Sequence, residues 1–518
     1  MYIPRLVLGS ILYFFPHVVA ERQAKQRPNI ILIVADDLGW NDVSFHGSQQ
    51  IPTPNIDRLA RQGIILNNYY VTPICTPSRS SLLTGKYPIH LGTQHNVLNG
   101  VEPWGLGLEE ITLPQYLKKG GYVNHIVGKW HLGFFSENYL PTNRGFDSHF
   151  GYWLGHSDYF DHSGQEWGDW GLDLRNNLDV VRNLTGRYAT DLFTKRAERI
   201  IHTHNTSTPL FLYLAHLAVH SANEYDPLQT TKRYYDRFPH IKHEGRRLFA
   251  GMVAGLDESV GRVYRSLKDR GMDKNSVIVF TTDNGGPAAS FDYNYANNWP
   301  LRGVKDTLWE GGVRGSAFIW SPLLKNTGRV STQLMHISDW LPTILSAAEL
   351  NDVITRADIN NPIDGIDQWS ALSENTPSAR TEVLLNIDHD RNVYALRVKN
   401  YKIILGTTYN GDWDNWYPPE GTNITYASMK QAPAAVKCAP PLNPGTPQSC
   451  MPLKGPCLFD LANDPCEYHN LADQQPEVLQ RMLDRLTIYN TTVVPPRNQP
   501  PDPAGKPERH GYVWAPWK

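Results

Sequence analysis

Cysteine is scarce in this chain and unevenly spread. Of 518 residues 5 are cysteine, and Cys75 stands alone until a late group of Cys438, Cys450, Cys457 and Cys466. An excess of charge of either sign is lacking too. Lys+Arg 49 against Asp+Glu 51 leaves a net charge of -2, which argues against a general polyanion binder but leaves room for a local basic pocket. No basic run points to nucleic acid. Past the N-terminal segment, no apolar run approaches the length of a membrane-spanning helix. Internal repeats and low-complexity blocks are missing as well. With 41% hydrophobic and 19% charged residues, the chain can build one large globular domain and a smaller one.

What is present begins with an address. Arg5 precedes the apolar run Leu6 to Phe15, and Val18-Val19-Ala20 offers a small-residue cleavage site, so residues 1–20 read as a secretory signal peptide. Asn-x-Ser/Thr sequons at Asn183, Asn205, Asn423 and Asn490 are candidate glycan sites. The four late cysteines have no C-x-x-C pair and sit among prolines, which favours two disulfides over a zinc site; three pairings stay open. The odd count leaves Cys75 without a partner. These features point to the secretory pathway, with a lysosomal or secreted destination.

Several apolar runs have strand length and end abruptly in polar residues. Asn29 to Gly39 turns polar at Asp36 and Asp37, Tyr122 to Gly133 at Lys129, Pro209 to His220 at His216 and His220, and Ser276 to Gly286 at Asp283 and Asn284. Continuously apolar strands suit a parallel sheet covered on both faces. Helical spacing separates them: Pro54 to Gln62 forms a short helix, and Arg246 to Arg270 carries Leu248, Met252, Leu256, Val260, Val263 and Leu267 on one face. The alternation predicts an α/β sandwich whose ligands gather beyond the carboxyl ends of the strands, where all four polar clusters lie. From about residue 376 the texture changes to short antiparallel strands, Glu382 to Asp388, Val393 to Lys399 and Tyr401 to Gly406. A Pro/Gly-rich stretch, a helix near Pro476 to Ile488 and a proline-rich tail follow. The expected division is a catalytic domain over 27–375 and a smaller α+β domain over 376–518.

Asp36, Asp37, Asp283 and Asn284 are hard oxygen donors, suited to Ca²⁺ or Mg²⁺ rather than zinc. Taken singly, each Asp-Asp or Asp-Asn element is an ordinary turn; two of them after two buried strands point to one shared metal site. Lys129 and His131 lie two positions apart, and Arg79, His220 and Lys305 can join them. Cationic groups around a divalent ion describe a pocket for a sulfate or phosphate ester.

The pattern around Cys75 narrows that choice. CTPSR, Cys75 to Arg79, matches the C-x-P-x-R signature of the sulfatases, and the wider Cys75 to Pro88 segment resembles them closely. The resemblance extends to Pro28–Gly47, Gly128–Gly133, Pro141–Asp147, Thr282–Gly286 and Trp299–Gly315. His149–His162 and Gly511–Trp517 look most like arylsulfatase B and its close relatives. The resemblance implies an alkaline-phosphatase-like fold: a large mixed, mostly parallel sheet sandwiched by helices, with the smaller C-terminal domain.

It also implies that Cys75 is oxidised to formylglycine by a formylglycine-generating enzyme. One metal, usually Ca²⁺, would be held by Asp36, Asp37, Asp283, Asn284 and residue 75. Arg79 and Lys129 would orient the aldehyde hydrate that attacks sulfur, His220 or Lys305 would protonate the departing alcohol, and His131 would act as base to release sulfate. The implied substrate is a sulfated hexosamine of a glycosaminoglycan, such as an N-acetylgalactosamine 4-sulfate unit, or alternatively a small sulfated metabolite such as a glucosinolate. Pocket-rim loops at Ser157 to Trp170 and Ala289 to Asn298 would set that choice. The rivals are a phosphatase or phosphodiesterase of the alkaline-phosphatase type, which would use two metals and a Ser or Thr nucleophile, and a secreted, catalytically inactive glycoprotein. Every position the motifs require is filled.

Overall fold

The computed structural model describes residues 1, 26–354, 362–420, 432–438 and 450–518. Apart from Met1, the signal peptide expected over 1–20 lies outside the described residues, as does the sequon at Asn423.

The strands of the large sheet are β1 (Asn29–Ala35), β2 (Ile64–Tyr70), β3 (Val123–Lys129) and β4 (Ser148–Tyr152), then β7 (Arg175–Asn176), β8 (Asp179–Val180), β9 (Leu210–Ala215), β10 (Ser276–Thr282), β11 (Ala317–Trp320) and β12 (Arg329–His336). A separate hairpin pairs β5 (Ser163–Glu166) with β6 (Asp169–Leu172). The ten strands run in the order β12-β2-β11-β10-β1-β9-β3-β4-β7-β8. The central run β10-β1-β9-β3-β4 is parallel throughout, whereas β11, β7 and β8 pair antiparallel with their neighbours. This is the mixed, mostly parallel sheet expected of the apolar runs.

Each central strand is buried on both faces because its side chains alternate between two cores. Ile31, Ile33 and Ala35 of β1 pack with the helices Pro54–Gln62, Ala189–Thr203 and Glu244–Asp269. Ile30, Leu32 and Val34 pack with the helices Cys75–Thr84, Leu113–Lys119 and Trp340–Ala347. On Glu244–Asp269 the expected apolar face is buried from Met252 to Leu267, while Leu248 is half-buried at its start.

A second, antiparallel sheet follows, with β13 (Glu382–Asp388), β14 (Val393–Val398), β15 (Tyr401–Leu405) and β16 (Cys457–Asp460) in chain order. Val383, Ala395, Ile404 and Phe459 face Tyr70, Trp309 and Leu334 of the larger unit. Leu384, Leu396, Ile403 and Leu458 face the helix Pro476–Asn490 through Met482 and Leu486. The disulfides pair Cys438 with Cys466 and Cys450 with Cys457. The tail is not confined to the small sheet. Trp514 is fully buried in the same core as Trp104 and Trp153, and its indole donates to the Gly164 carbonyl at 2.9 Å. Among the described residues no helix is long and apolar enough to cross a membrane.

Candidate functional site

Strand order explains why residues far apart in sequence meet. β10, β1, β9 and β3 are neighbours running in one direction, so the segments leaving their carboxyl ends share one edge of the sheet. These segments bring Asp283 and Asn284, Asp36 and Asp37, His220, and Lys129 with His131. Cys75 is the first residue of the helix Cys75–Thr84, and Arg79 lies one turn further on the same face. Lys305 arrives on the loop that precedes the short helix Glu310–Val313. All the residues expected at the site lie together there except His216, whose Nε2 instead meets Ser259 Oγ at 2.9 Å in the core.

The backbone pays a steric cost to make these turns. Asp37 and His131 sit at φ 61 and 58, in the left-handed region that non-glycine residues avoid. Gly285 has no room for a side chain: a Cβ there would lie 1.8 Å from the Gly311 carbonyl oxygen. Gly155 lets the His131 ring approach, since a Cβ would meet its Nε2 at 2.9 Å.

Three fully buried carboxylates converge with three cations. Lys129 Nζ is 2.7 Å from Asp36 Oδ2, Lys305 Nζ is 2.9 Å from Asp37 Oδ2, and Arg79 Nη2 is 2.8 Å from Asp283 Oδ2. Arg79 also reaches Asp36 Oδ1 at 3.5 Å. Burial opposes ionisation of Asp36, but Lys129 and Arg79 outweigh it and hold the carboxyl below its ordinary range. Asp37 goes the other way. Burial, with Asp36, Asp292 and Asp283 close by, pushes it up to about 7 against the pull of Lys305. Burial and Asp36 also raise Asp283. A cluster of carboxylates this crowded is what a bound cation relieves.

The buried donor cluster can hold a metal ion. Asp36, Asp37, Cys75 and His220 offer ligand atoms within 4.8 Å of one another. Asn284 donates to Asp37 Oδ1 at 2.7 Å, which leaves its own Oδ1 buried and without a partner. A buried amide oxygen with no donor nearby is costly unless something coordinates it.

Cys75 is buried, free of any disulfide, with Sγ 3.7 Å from Asp36 Oδ1. Burial, reinforced by Asp283 and Asp36, pushes its thiol far up, so it stays protonated. Two histidines flank it with defined tautomers. His131 Nε2 donates to the Leu98 carbonyl at 2.8 Å, and its buried Nδ1 keeps a lone pair with no partner. His220 Nδ1 donates to the Ser221 carbonyl at 2.7 Å, and Nε2 accepts from Lys305 at 3.2 Å. Burial lowers both rings well below the usual histidine range, so both are neutral. Lys305 is raised by Asp292 and Asp37 in spite of burial, and keeps its charge.

Cys75, His131, His220 and Lys305 line a cavity of about 220 Å³. Its wall includes residues that motif reading did not single out. Glu166 and Asp292 lie inside the two rim loops expected from the sequence, but Asn99, His156 and Tyr409 lie outside them. Tyr409 follows β15 of the small sheet, and no local pattern marks it. The sequons at Asn183, Asn205 and Asn490 are all exposed.

Known proteins resemble this chain in sequence and in fold. A sulfatase family model matches residues 28–350. Arylsulfatase J of Mus musculus is 40% identical over 516 residues, covering 95% of this chain and 80% of its own. N-acetylgalactosamine-6-sulfatase of Mus musculus is 30% identical over 494 residues, covering 92% of this chain and 88% of its own. The crystal structure of Ps i-CgsB in complex with k-i-k-neocarrahexaose superposes with a TM-score of 0.73 at 28% identity, covering 91% of this chain and 94% of that one. A family match over most of the large sheet, joined to a relative 40% identical along nearly the whole length, establishes that this chain belongs to the sulfatase family of sulfuric ester hydrolases.

Proposed function

We propose that this sulfatase releases sulfate from a sulfated sugar, using formylglycine made from Cys75 and one divalent cation, most suitably Ca²⁺. The observation that carries the reading is the placement of Cys75. It is a buried, unpaired cysteine at a helix N-terminus, in contact with Asp36 and flanked by a lysine and two neutral histidines. The sugar rests on a relative that is an N-acetylgalactosamine-6-sulfatase and on a similar structure in complex with a neocarrahexaose. Hexosamine sulfates, the 4-sulfate among them, and small sulfated metabolites such as glucosinolates are the candidate substrates within that class.

Formylglycine supplies a hydrated aldehyde as nucleophile, and a cation held by Asp36, Asp37, Asp283 and Asn284 supplies charge neutralisation. The protein's own groups do the rest. Lys129 and Arg79 fix the carboxylates Asp36 and Asp283 in place beside residue 75. Lys305 stays an ammonium because of Asp37 and Asp292, so it binds a sulfate oxygen and can yield a proton toward the departing alcohol. His220 is held by the Ser221 carbonyl with Nε2 toward Lys305, and can relay that proton. His131 has a free Nδ1 lone pair, which takes the proton whose loss restores the aldehyde and expels sulfate. The route to the enzyme is secretory, through the compartment that holds the formylglycine-generating enzyme.

Enzyme purified from a eukaryotic secretory host tests this directly. Peptide mass spectrometry across Cys75 should find the aldehyde, and 4-nitrocatechol sulfate should be hydrolysed far faster than a matching phosphate monoester. An unmodified thiol accompanied by full turnover would refute the nucleophile; a preference for the phosphate would favour the phosphatase reading.

A further inference from the structure

The cavity wall beyond the sulfate-binding groups is short of positive charge. Its remaining surface is apolar at Ile74, Val97, Leu98 and Phe291 and neutral at Asn99. Its charged lining consists of the carboxylates of Asp292 and Asp306 and the ammonium of Lys305, while burial, with Glu102 close by, pushes Glu166 up to about 8 and leaves its carboxyl protonated at neutral pH. Lys305 is already shared between Asp37 at 2.9 Å and Asp292 at 2.6 Å. Behind Asp306, the guanidinium of Arg391 is spent on both of its oxygens at 2.8 and 2.9 Å and lies 3.9 Å from Asp388. Among the described residues lining the mouth, no guanidinium fork is left to receive a carboxylate or a second sulfate.

Asp292 dominates this rim. Its side chain is 38% exposed, and the backbone that presents it is strained. Ala289, Ser290, Asp292 and Tyr293 have φ of 55, 72, 54 and 53. Left-handed conformations in non-glycine residues persist only where surroundings impose them. Here the Asp292 carbonyl accepts from Ser221 Oγ at 2.7 Å, and the Phe291 ring packs edge-on against Tyr409 and Trp413 at 5.2 and 5.0 Å. Asn294 ties the end of the turn to the Val219 carbonyl at 3.0 Å. A fixed carboxylate is thus held at the mouth of a pocket that must admit an anion.

We propose that Asp292 acts as a charge filter: the sulfate cleaved here is the only negative charge on its part of the substrate, carried by an otherwise uncharged sugar or small aglycone. This rests on the sulfated-sugar reading above and narrows it. A ring bearing a second sulfate or a carboxylate brings like charge against Asp292, where the Lys305 ammonium is already shared between Asp37 and Asp292, and like charges juxtaposed at an interface are strongly disfavoured.

The test compares kcat/KM for N-acetylgalactosamine 4-sulfate and 6-sulfate with the 4,6-disulfate, with 4-nitrocatechol sulfate as a common reference. The wild type should prefer the better of the two monosulfates over the disulfate by about tenfold or more, and Asp292→Asn should bring that ratio toward one. Because Asp292 also touches Lys305, the variant is expected to lower turnover generally. A purely supporting role for Lys305 would scale all substrates together and leave the ratio fixed, which would overturn the filter. Ionic strength gives a second measurement on unmodified enzyme: added salt should narrow the ratio by screening the repulsion. Equal or better turnover of the disulfate by the wild type, or a salt-independent ratio, would overturn the proposal. Release of sulfate from none of the probes, the reference included, would overturn the reading of Proposed function and this inference with it.

Discussion

Replacing Lys129 by methionine keeps the length of the side chain and removes its charge. Lys129 and Asp36 are both fully buried with 2.7 Å between Nζ and Oδ2. At an effective dielectric of ~20 that separation corresponds to an attraction of about 6 kcal/mol, from which the cost of drying both charges must be subtracted. Losing one partner of such a pair destabilises by about 3–5 kcal/mol, because the other charge is left buried and uncompensated. Arg79 Nη2, 3.5 Å from Asp36 Oδ1, moderates the loss, so the lower end of that range is expected.

Activity should suffer independently. A positioned charge beside the reacting group is worth about 10²–10³ in kcat. The assay is urea unfolding together with kcat on 4-nitrocatechol sulfate, for Lys129→Met, Asp36→Asn and the double variant. In the double variant the unpaired charge is gone, so stability should recover relative to Lys129→Met while activity stays low. Turnover of Lys129→Met within about threefold of wild type, or a double variant no more stable than Lys129→Met, would refute this reasoning.

Cys75→Ser should fold normally, with an unchanged far-UV spectrum and unfolding midpoint, yet lose steady-state sulfate release, because a serine ester has no second hydroxyl through which sulfate can leave. Chelation with EGTA should lower both activity and the unfolding temperature, and Ca²⁺ at a hundredfold excess over its dissociation constant should restore about 2.7 kcal/mol; an unchanged thermal midpoint would count against the metal site. The disulfides should differ in value. Cys438–Cys466 closes a separation of 28 and Cys450–Cys457 one of 7, so chain entropy assigns them about 3.6 and about 2.4 kcal/mol; paired Cys→Ala variants measured by urea unfolding should rank in that order. Burial holds His149 at about 4, below its unfolded value near 6.5, so its contribution is complete above pH ~6.5 and is lost as pH falls toward ~4. His149→Gln should make the fall in stability over that interval shallower by up to about 1.4 kcal/mol per pH unit, and an unaltered slope would contradict the assignment.

Much of the fold could be read from the sequence because buried parallel strands leave a plain signature. The run from Ile30 to Ala35 is apolar without alternation, which only a strand covered on both faces requires, and the two cores divide its odd and even residues. The helix Glu244–Asp269 announced itself by spacing, and the C-terminal strands by their brevity. The apolar spacing gave no sign that the last residues leave the small sheet, since Trp514 is buried by contacts with Phe134 and Gly164, far away in sequence.

The site divides along the same line. Asp36, Asp37, Asp283, Asn284, Lys129 and His131 follow directly on strand ends, and Cys75 and Arg79 share one turn of a helix, so local pattern was enough to collect them. Their chemical states were beyond the sequence. Asp36 and Asp37 are adjacent in the chain, but one is lowered by Lys129 and Arg79 and the other raised to about 7 by burial and neighbouring carboxylates. The tautomers of His131 and His220 depend on the Leu98 and Ser221 carbonyls, and the acidic rim depends on a strained loop packed against Tyr409, which follows the third strand of the second sheet. By itself the sequence determined which residue types the chemistry has and which strand ends carry them, because burial and turn chemistry are local demands on composition. Protonation, pairing of the late cysteines and the charge facing the substrate were decided only by the tertiary structure, since each depends on distances between segments that the chain order does not contain.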